Sequence, residues 1–163
     1  MTSGDRRAAA RDGLDGSELR IGVLSARWNA DVVERLHDGA RRGLRALSVE
    51  DGRIVEDTVP GSFELPMAAR ILAGSAAVDA IVCLGCVVRG ETSHYEIVSE
   101  GVAAGLMRVQ LDSAIPVAFG VLTVERLEQA LDRSQGPGGH NVGEEAATAA
   151  VEMACLAARH ANG

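Results

Sequence analysis

The sequence predicts an α/β three-layer sandwich: a four-stranded parallel sheet with helices on both faces. Two observations carry that reading. Four short apolar runs alternate with segments of helical periodicity, the pattern of β-α-β units joined by right-handed crossovers. One of the runs, Ala80 to Val88, is apolar without interruption, as a central strand buried on both faces must be.

Ile21 to Ser25 reads as the first buried strand. Val32, Val33, Leu36, Ala40, Leu44 and Leu47 then recur at helical spacing, with Asn29 as the N-cap. Ile54 to Val59 is the second strand. The helix after it starts near Phe63, carries Pro66 in its first turn, where a missing N–H costs little, and runs to about Ala73. The central strand, Ala80 to Val88, leads into a third helix from Ser93 to about Asp112. Pro116 to Leu122 is the fourth strand, with proline tolerated at its first residue. A short helix over Thr123 to Asp132, a glycine-rich loop from Ser134 to Asn141 and a last helix from Gly143 to Arg159 complete the chain.

Composition narrows the function. The 163 residues, 47% of them hydrophobic, suit one domain with a proper core. The formal charge of −7, with no basic stripe, argues against a nucleic-acid partner. No apolar run approaches the ~20 residues of a membrane span. All 16 basic residues are arginine, so the protein has no amine side chain for Schiff-base catalysis. Cys83 and Cys86 form a C-x-x-C, but on a strand those positions point to opposite faces, and they read as core-filling residues. His37, His140 and His160 share no metal-ligand spacing and read as surface residues, so no metal site is expected. Met1 to Glu18 is rich in Arg, Asp and Gly and lacks the apolar segment of a signal peptide. It reads as a flexible N-terminal arm, residues 1–18, on a cytoplasmic protein whose single domain covers 19–163.

In open parallel sheets, ligands bind beyond the C-terminal ends of the strands. The four aromatic residues, Trp28, Phe63, Tyr95 and Phe119, are read as lying at or just past strand ends, which suits a planar ligand held by stacking. The segment Arg89 to His94 joins the central strand to the third helix. Ser93-x-x-Glu96 matches a capping box, placing His94 in the first helical turn. Free N–H groups and a glycine there suit a phosphate, and His94 is a candidate acid–base group. Glu64 after Pro60-Gly61-Ser62-Phe63 is a candidate polar ligand, and Arg133, always charged and bidentate, a candidate phosphate ligand. An ordinary capped helix, a first-turn charge and a helix-end charge are the plain alternatives for these three sites.

Together these segments resemble the 6,7-dimethyl-8-ribityllumazine synthase family. The resemblance runs from about Arg20 to the last helix. It is carried by Ala26 to Asn29, Val59 to Pro66, Leu84 to Tyr95, Phe119 to Thr123 and Glu128 to Arg133, in this order and spacing. It implies a flavodoxin-like fold and condensation of 5-amino-6-(D-ribitylamino)uracil with 3,4-dihydroxy-2-butanone 4-phosphate, without a cofactor. Carried over by position, Trp28, Ser62, Phe63, Glu64 and Phe119, with the backbone of Cys86, Val87 and Val88, would hold the pyrimidine and its ribityl chain. Glu91, Thr92 and Arg133 would bind the phosphate, and His94 would move protons.

The resemblance further implies active sites at subunit boundaries, with Phe119 and Arg133 at that boundary, and riboflavin synthase as a pathway partner. Val142 stands where relatives commonly carry lysine, and the loop before it is about one residue longer than in many of them. Longer loops go with pentamers, so a homopentamer is expected, with a sixty-subunit icosahedral shell as the alternative. Two other functions stay open: a non-catalytic flavin- or lumazine-binding relative that lost activity with the lysine, and a flavodoxin-like electron carrier. Against the carrier, Ala26-Arg27-Trp28-Asn29 is no Ser/Thr/Gly phosphate cradle.

Overall fold

The computed structural model describes residues 8–161. Part of the expected N-terminal arm, residues 1–7, lies outside the described residues. From residue 14 onward the chain lies on the body: Leu14 packs against the core, and the Gly16 N–H donates to the Leu47 carbonyl at 2.7 Å.

Strand β1 (Ile21–Ala26) is buried throughout and is followed by helix α1 (Ala30–Ala46). Strand β2 (Ile54–Val59) leads through a single 3-10 turn, Ser62–Glu64, into α2 (Leu65–Gly74). Strand β3 (Ala80–Val88) leads into the long helix α3 (His94–Ser113), and β4 (Val117–Val124) into the short α4 (Leu127–Asp132). Helix α5 (Val142–His160) ends the described chain.

Among the described residues the four strands form one parallel sheet in the order β2-β1-β3-β4. Helices α1 and α5 cover one face, where Leu36 and Leu44 of α1 and Val151 of α5 are fully buried against Val23, Val82 and Leu84. Each such leucine stabilises the fold by about 1.5–3 kcal/mol. Helices α2 and α3 cover the other face around Leu65, Ile81, Val102 and Leu106. The expected three-layer α/β sandwich is therefore the fold.

Local differences have physical causes. Strand β4 runs two residues past Leu122, because Thr123 and Val124 are β-branched and pair with Val87 and Val88, so the fourth helix starts at Leu127 rather than Thr123. The second helix opens as a 3-10 turn and becomes α-helical at Leu65, immediately before Pro66. Asn29 holds the N-cap position of α1 in the left-handed region (φ 59°), which Asn tolerates, but its side chain makes no cap. The capping box at Ser93 and Glu96 does not form either.

Candidate active site

Chain connectivity reverses direction between β1 and β3, since β1 is followed by β2 on one side and flanked by β3 on the other. At the carboxyl ends of these strands lies a cleft of about 530 Å³. Trp28 and Asn29 enter it from β1, Gly61 to Glu64 from the turn after β2, and Cys86 to Val88 form its floor at the end of β3. His94, Ile97 and Val98 close it from the start of α3. The structure thus brings together Trp28, Ser62, Phe63, Glu64, Cys86, Val87, Val88 and His94, residues drawn from two loops, a strand and the first turn of a helix.

Backbone bonds hold the walls in place. Arg27 and Trp28 donate their N–H groups to the carbonyls of Val59 and Pro60, at 2.8 and 3.1 Å, tying the first two loops together. Asn29 Nδ2 donates to the Cys86 carbonyl at 2.8 Å, pinning the first loop to the floor. The sequence offers Asn29 only as a helix cap; its positive φ, which has no signal in one sequence, turns the amide to the end of β3 instead. Glu64 Oε2 accepts from the Gly61 N–H at 3.0 Å and closes the turn on itself. Ser62 is buried above Gly85, where a β-carbon would lie 2.4 Å from its Oγ, so any larger residue there would have to displace the Ser62 hydroxyl. Trp28 is 74% and Phe63 58% exposed, two open rings at the mouth of an apolar cleft.

The turn after β3 carries Glu91 and Thr92, both exposed beside the cleft. The His94 N–H reaches Thr92 Oγ1 at 3.3 Å. Arg89 does not face this turn. Its guanidinium hydrogen-bonds Glu96, meets Glu125 Oε2 at 2.8 Å and lies 4.3 Å from the centre of the Tyr95 ring. These bonds to Glu96 and then Glu125 push Arg89 further above its ordinary value, while the Arg89 bond and Glu96's own N–H hold the Glu96 carboxyl low.

Phe119 and Arg133 are not in the cleft. Phe119 is the third residue of β4, opposite Cys83, so it is mid-strand rather than at a strand end, and 43% exposed. Tyr95 lies under Arg89, which leaves two of the four aromatics facing the cleft. Arg133, at the end of α4, donates from Nη1 to the Gln129 carbonyl at 3.0 Å. Its backbone is held at the neck of the glycine-rich loop, where Val142 N–H donates to the Arg133 carbonyl at 2.9 Å. Buried Asn141 accepts there from Glu144 N–H and donates to the carbonyls of Arg35 and Gln135. The Val142 side chain packs on the core, so this position presents no cation.

Cys83 and Cys86 are free thiols buried in opposite core layers, as strand alternation requires. Burial pushes them up to about 12 and about 11. Among the described residues no cluster of His, Cys, Asp or Glu is placed to hold a metal, and no helix is long and apolar enough to cross a membrane.

Residues 18–158 match the family model described as 6,7-dimethyl-8-ribityllumazine synthase. The chain is 48% identical over 138 residues to a protein of Streptomyces avermitilis with that name, covering 84% of each chain. Proteins of the same name from two strains of Stenotrophomonas maltophilia are also 48% identical, over 84% of this chain and 88% of theirs.

Proposed function

The chain belongs to the 6,7-dimethyl-8-ribityllumazine synthase family, and from that premise we infer that it is a transferase of riboflavin biosynthesis. It condenses 5-amino-6-(D-ribitylamino)uracil with 3,4-dihydroxy-2-butanone 4-phosphate to 6,7-dimethyl-8-ribityllumazine, releasing phosphate and water. The observation that carries this is the cleft itself: two open aromatic rings and a histidine converge over the end of β3 at the switch point of the sheet, and the exposed turn of Glu91 and Thr92 leads directly into that histidine.

In our reading the pyrimidine stacks at Trp28 and Phe63, over the backbone of Cys86, Val87 and Val88. Ser62 and Glu64 hold its polar edge and ribityl chain. The phosphate of the second substrate sits on the N–H groups of Glu91 and Thr92 and on the Thr92 hydroxyl. Only the N–H of Glu91 faces it, which keeps that carboxylate clear of the anion. The substrate amine attacks the ketone, and His94 moves the protons of imine formation and phosphate loss. Because the nucleophile belongs to the substrate, the absence of lysine from the chain is no obstacle, and the reaction calls for no cofactor. Holding two substrates in register supplies much of the rate.

Phe119 and Arg133 complete the cleft of a neighbouring subunit in this reading, the one lining the pyrimidine and the other clamping phosphate. Exposed Met67 and Ile71 of α2 and Ile97, Met107 and Leu111 of α3 support such an assembly, since a monomer gains nothing from wetting them. The assembly is a cytoplasmic homopentamer, with riboflavin synthase downstream of it. Light scattering tests the count: about one megadalton, sixty copies of the 17.0 kDa chain, would replace the pentamer with a shell.

The two substrates mixed with the purified chain test the function. Lumazine fluorescence rises faster than in a protein-free control. A spontaneous rate with tight riboflavin binding would instead mark a non-catalytic relative.

A further inference from the structure

Ser93 and Glu96 have the spacing of a reciprocal helix cap, and the structure leaves that cap unmade. Ser93 has φ −70° and ψ 0°, outside the extended geometry of a capping residue, and its side chain makes no cap bond; Thr92 Oγ1 alone reaches a first-turn N–H, that of His94, among the described residues. Glu96 turns instead to Arg89. Arg89 is anchored from three sides: its N–H donates to the Val124 carbonyl at 2.8 Å, its Nε meets Glu125 at 2.8 Å, and the Tyr95 ring lies beneath its guanidinium. Meanwhile Glu96 Oε2 is shielded from solvent and, Glu96's own N–H aside, finds no hydrogen-bond donor among the described residues. A carboxylate with a starved oxygen, one turn into a helix, has ready donors in the N–H groups at the helix start.

Those N–H groups adjoin the ones assigned to the substrate phosphate under the proposed function. Resting on that assignment, we propose that Arg89 is a positioning residue that keeps the phosphate site open by holding Glu96 out of the cap. Arg89 touches no substrate atom. It acts by occupying the carboxylate that would otherwise bond the turn and repel a phosphate dianion. Glu125 gives the guanidinium a second anchor, so Arg89 stays in place when Glu96 is neutralised.

The test uses Arg89→Met, Glu96→Ala and the double variant, each titrated with inorganic phosphate by calorimetry and assayed with both substrates. In Arg89→Met the released carboxylate weakens phosphate binding and raises KM for the phosphate-bearing substrate, each by about tenfold, with the pyrimidine KM within about twofold. Removing Glu96 as well restores both to within about threefold of wild type, and Glu96→Ala alone leaves them unchanged. A double variant as weak as Arg89→Met would show that Arg89 binds phosphate itself or only supports the fold. Weak phosphate binding by Glu96→Ala overturns the proposal equally, and that arm does not depend on Arg89→Met folding. A wild-type chain with no turnover overturns the functional reading, while the phosphate titrations still judge the role of Arg89.

Discussion

Gly143, in the first turn of α5, sits directly on the backbone of Leu36 in α1: a β-carbon there would lie 2.0 Å from the Leu36 carbonyl oxygen. The obstacle is backbone, which cannot rotate aside. Gly43 is similarly close to Glu144, at 2.9 Å from its carbonyl oxygen. The two helices therefore meet through glycine. Gly143→Ala must push them apart and loosen the shared core, so it should destabilise the protein by about 3 kcal/mol. Urea unfolding at fixed protomer concentration measures this. An alanine variant of wild-type stability would mean that α1 and α5 do not pack as described.

Asn141 links that same helix pair to the glycine-rich loop. Its amide donates to carbonyls on α1 and in the loop and accepts from the N-terminus of α5. Asn141→Ala leaves those buried groups unpaired, at a cost of about 2–3 kcal/mol. Because the loop neck also fixes the Arg133 backbone, the surviving enzyme should show a raised KM for the phosphate-bearing substrate and a pyrimidine KM close to wild type. Equal changes in both would detach Asn141 from Arg133.

The layers and most of the cleft were legible because periodicity and strand-end position are local properties of the chain. Ala80 to Val88 announces a central strand, and Trp28, Phe63 and His94 each stand just past a strand. What was not legible depended on choices among partners. Ser93-x-x-Glu96 describes a cap equally well whether or not an arginine seven residues upstream takes the glutamate. Asn29 at a helix start suggests a cap, whereas the left-handed turn sends its amide to Cys86. Phe119 reads as a ring at a strand end, whereas strand register places it opposite Cys83, midway along the edge strand β4 and outside this chain's own cleft.

His94 is exposed at the rim of the cleft, and among the described residues its side chain has no part in the core. His94→Ala should therefore leave fold and assembly mass unchanged while lowering kcat by about 100-fold. Light scattering and the two-substrate assay on the same preparation check both halves. Wild-type turnover removes His94 from the mechanism.

The buried thiols make a prediction about reactivity. Thiolate is the reacting form, and burial pushes Cys83 and Cys86 up to about 12 and about 11. Alkylation of the native protein near pH 8 should leave both unmodified, with labelling only in denaturant, as read by peptide mass. Labelling of Cys83 in the native state would mean that the central strand opens.

Acid should expose a different contribution, on the outer side of the sheet. Glu56 of the edge strand accepts from Arg41 Nε at 2.8 Å and meets His37 Nε2 at 3.0 Å. The Arg41 bond is the main cause that holds the Glu56 carboxyl below its ordinary value, with burial opposing it. A carboxyl depressed in the folded state contributes stability above its unfolded value, and that contribution is lost as pH falls through the folded value. The relevant window thus opens near pH 4.5 and extends downward. Arg41→Met keeps the apolar stem but removes the partner. It should cost at most about 1 kcal/mol at pH 7, since the pair is partly solvated, and the deficit should shrink toward zero below the window. Urea midpoints at pH 7 and at about pH 3.5, compared at one protomer concentration, measure the difference. A deficit of the same size at both pH values would assign the loss to packing of the stem and not to the ion pair.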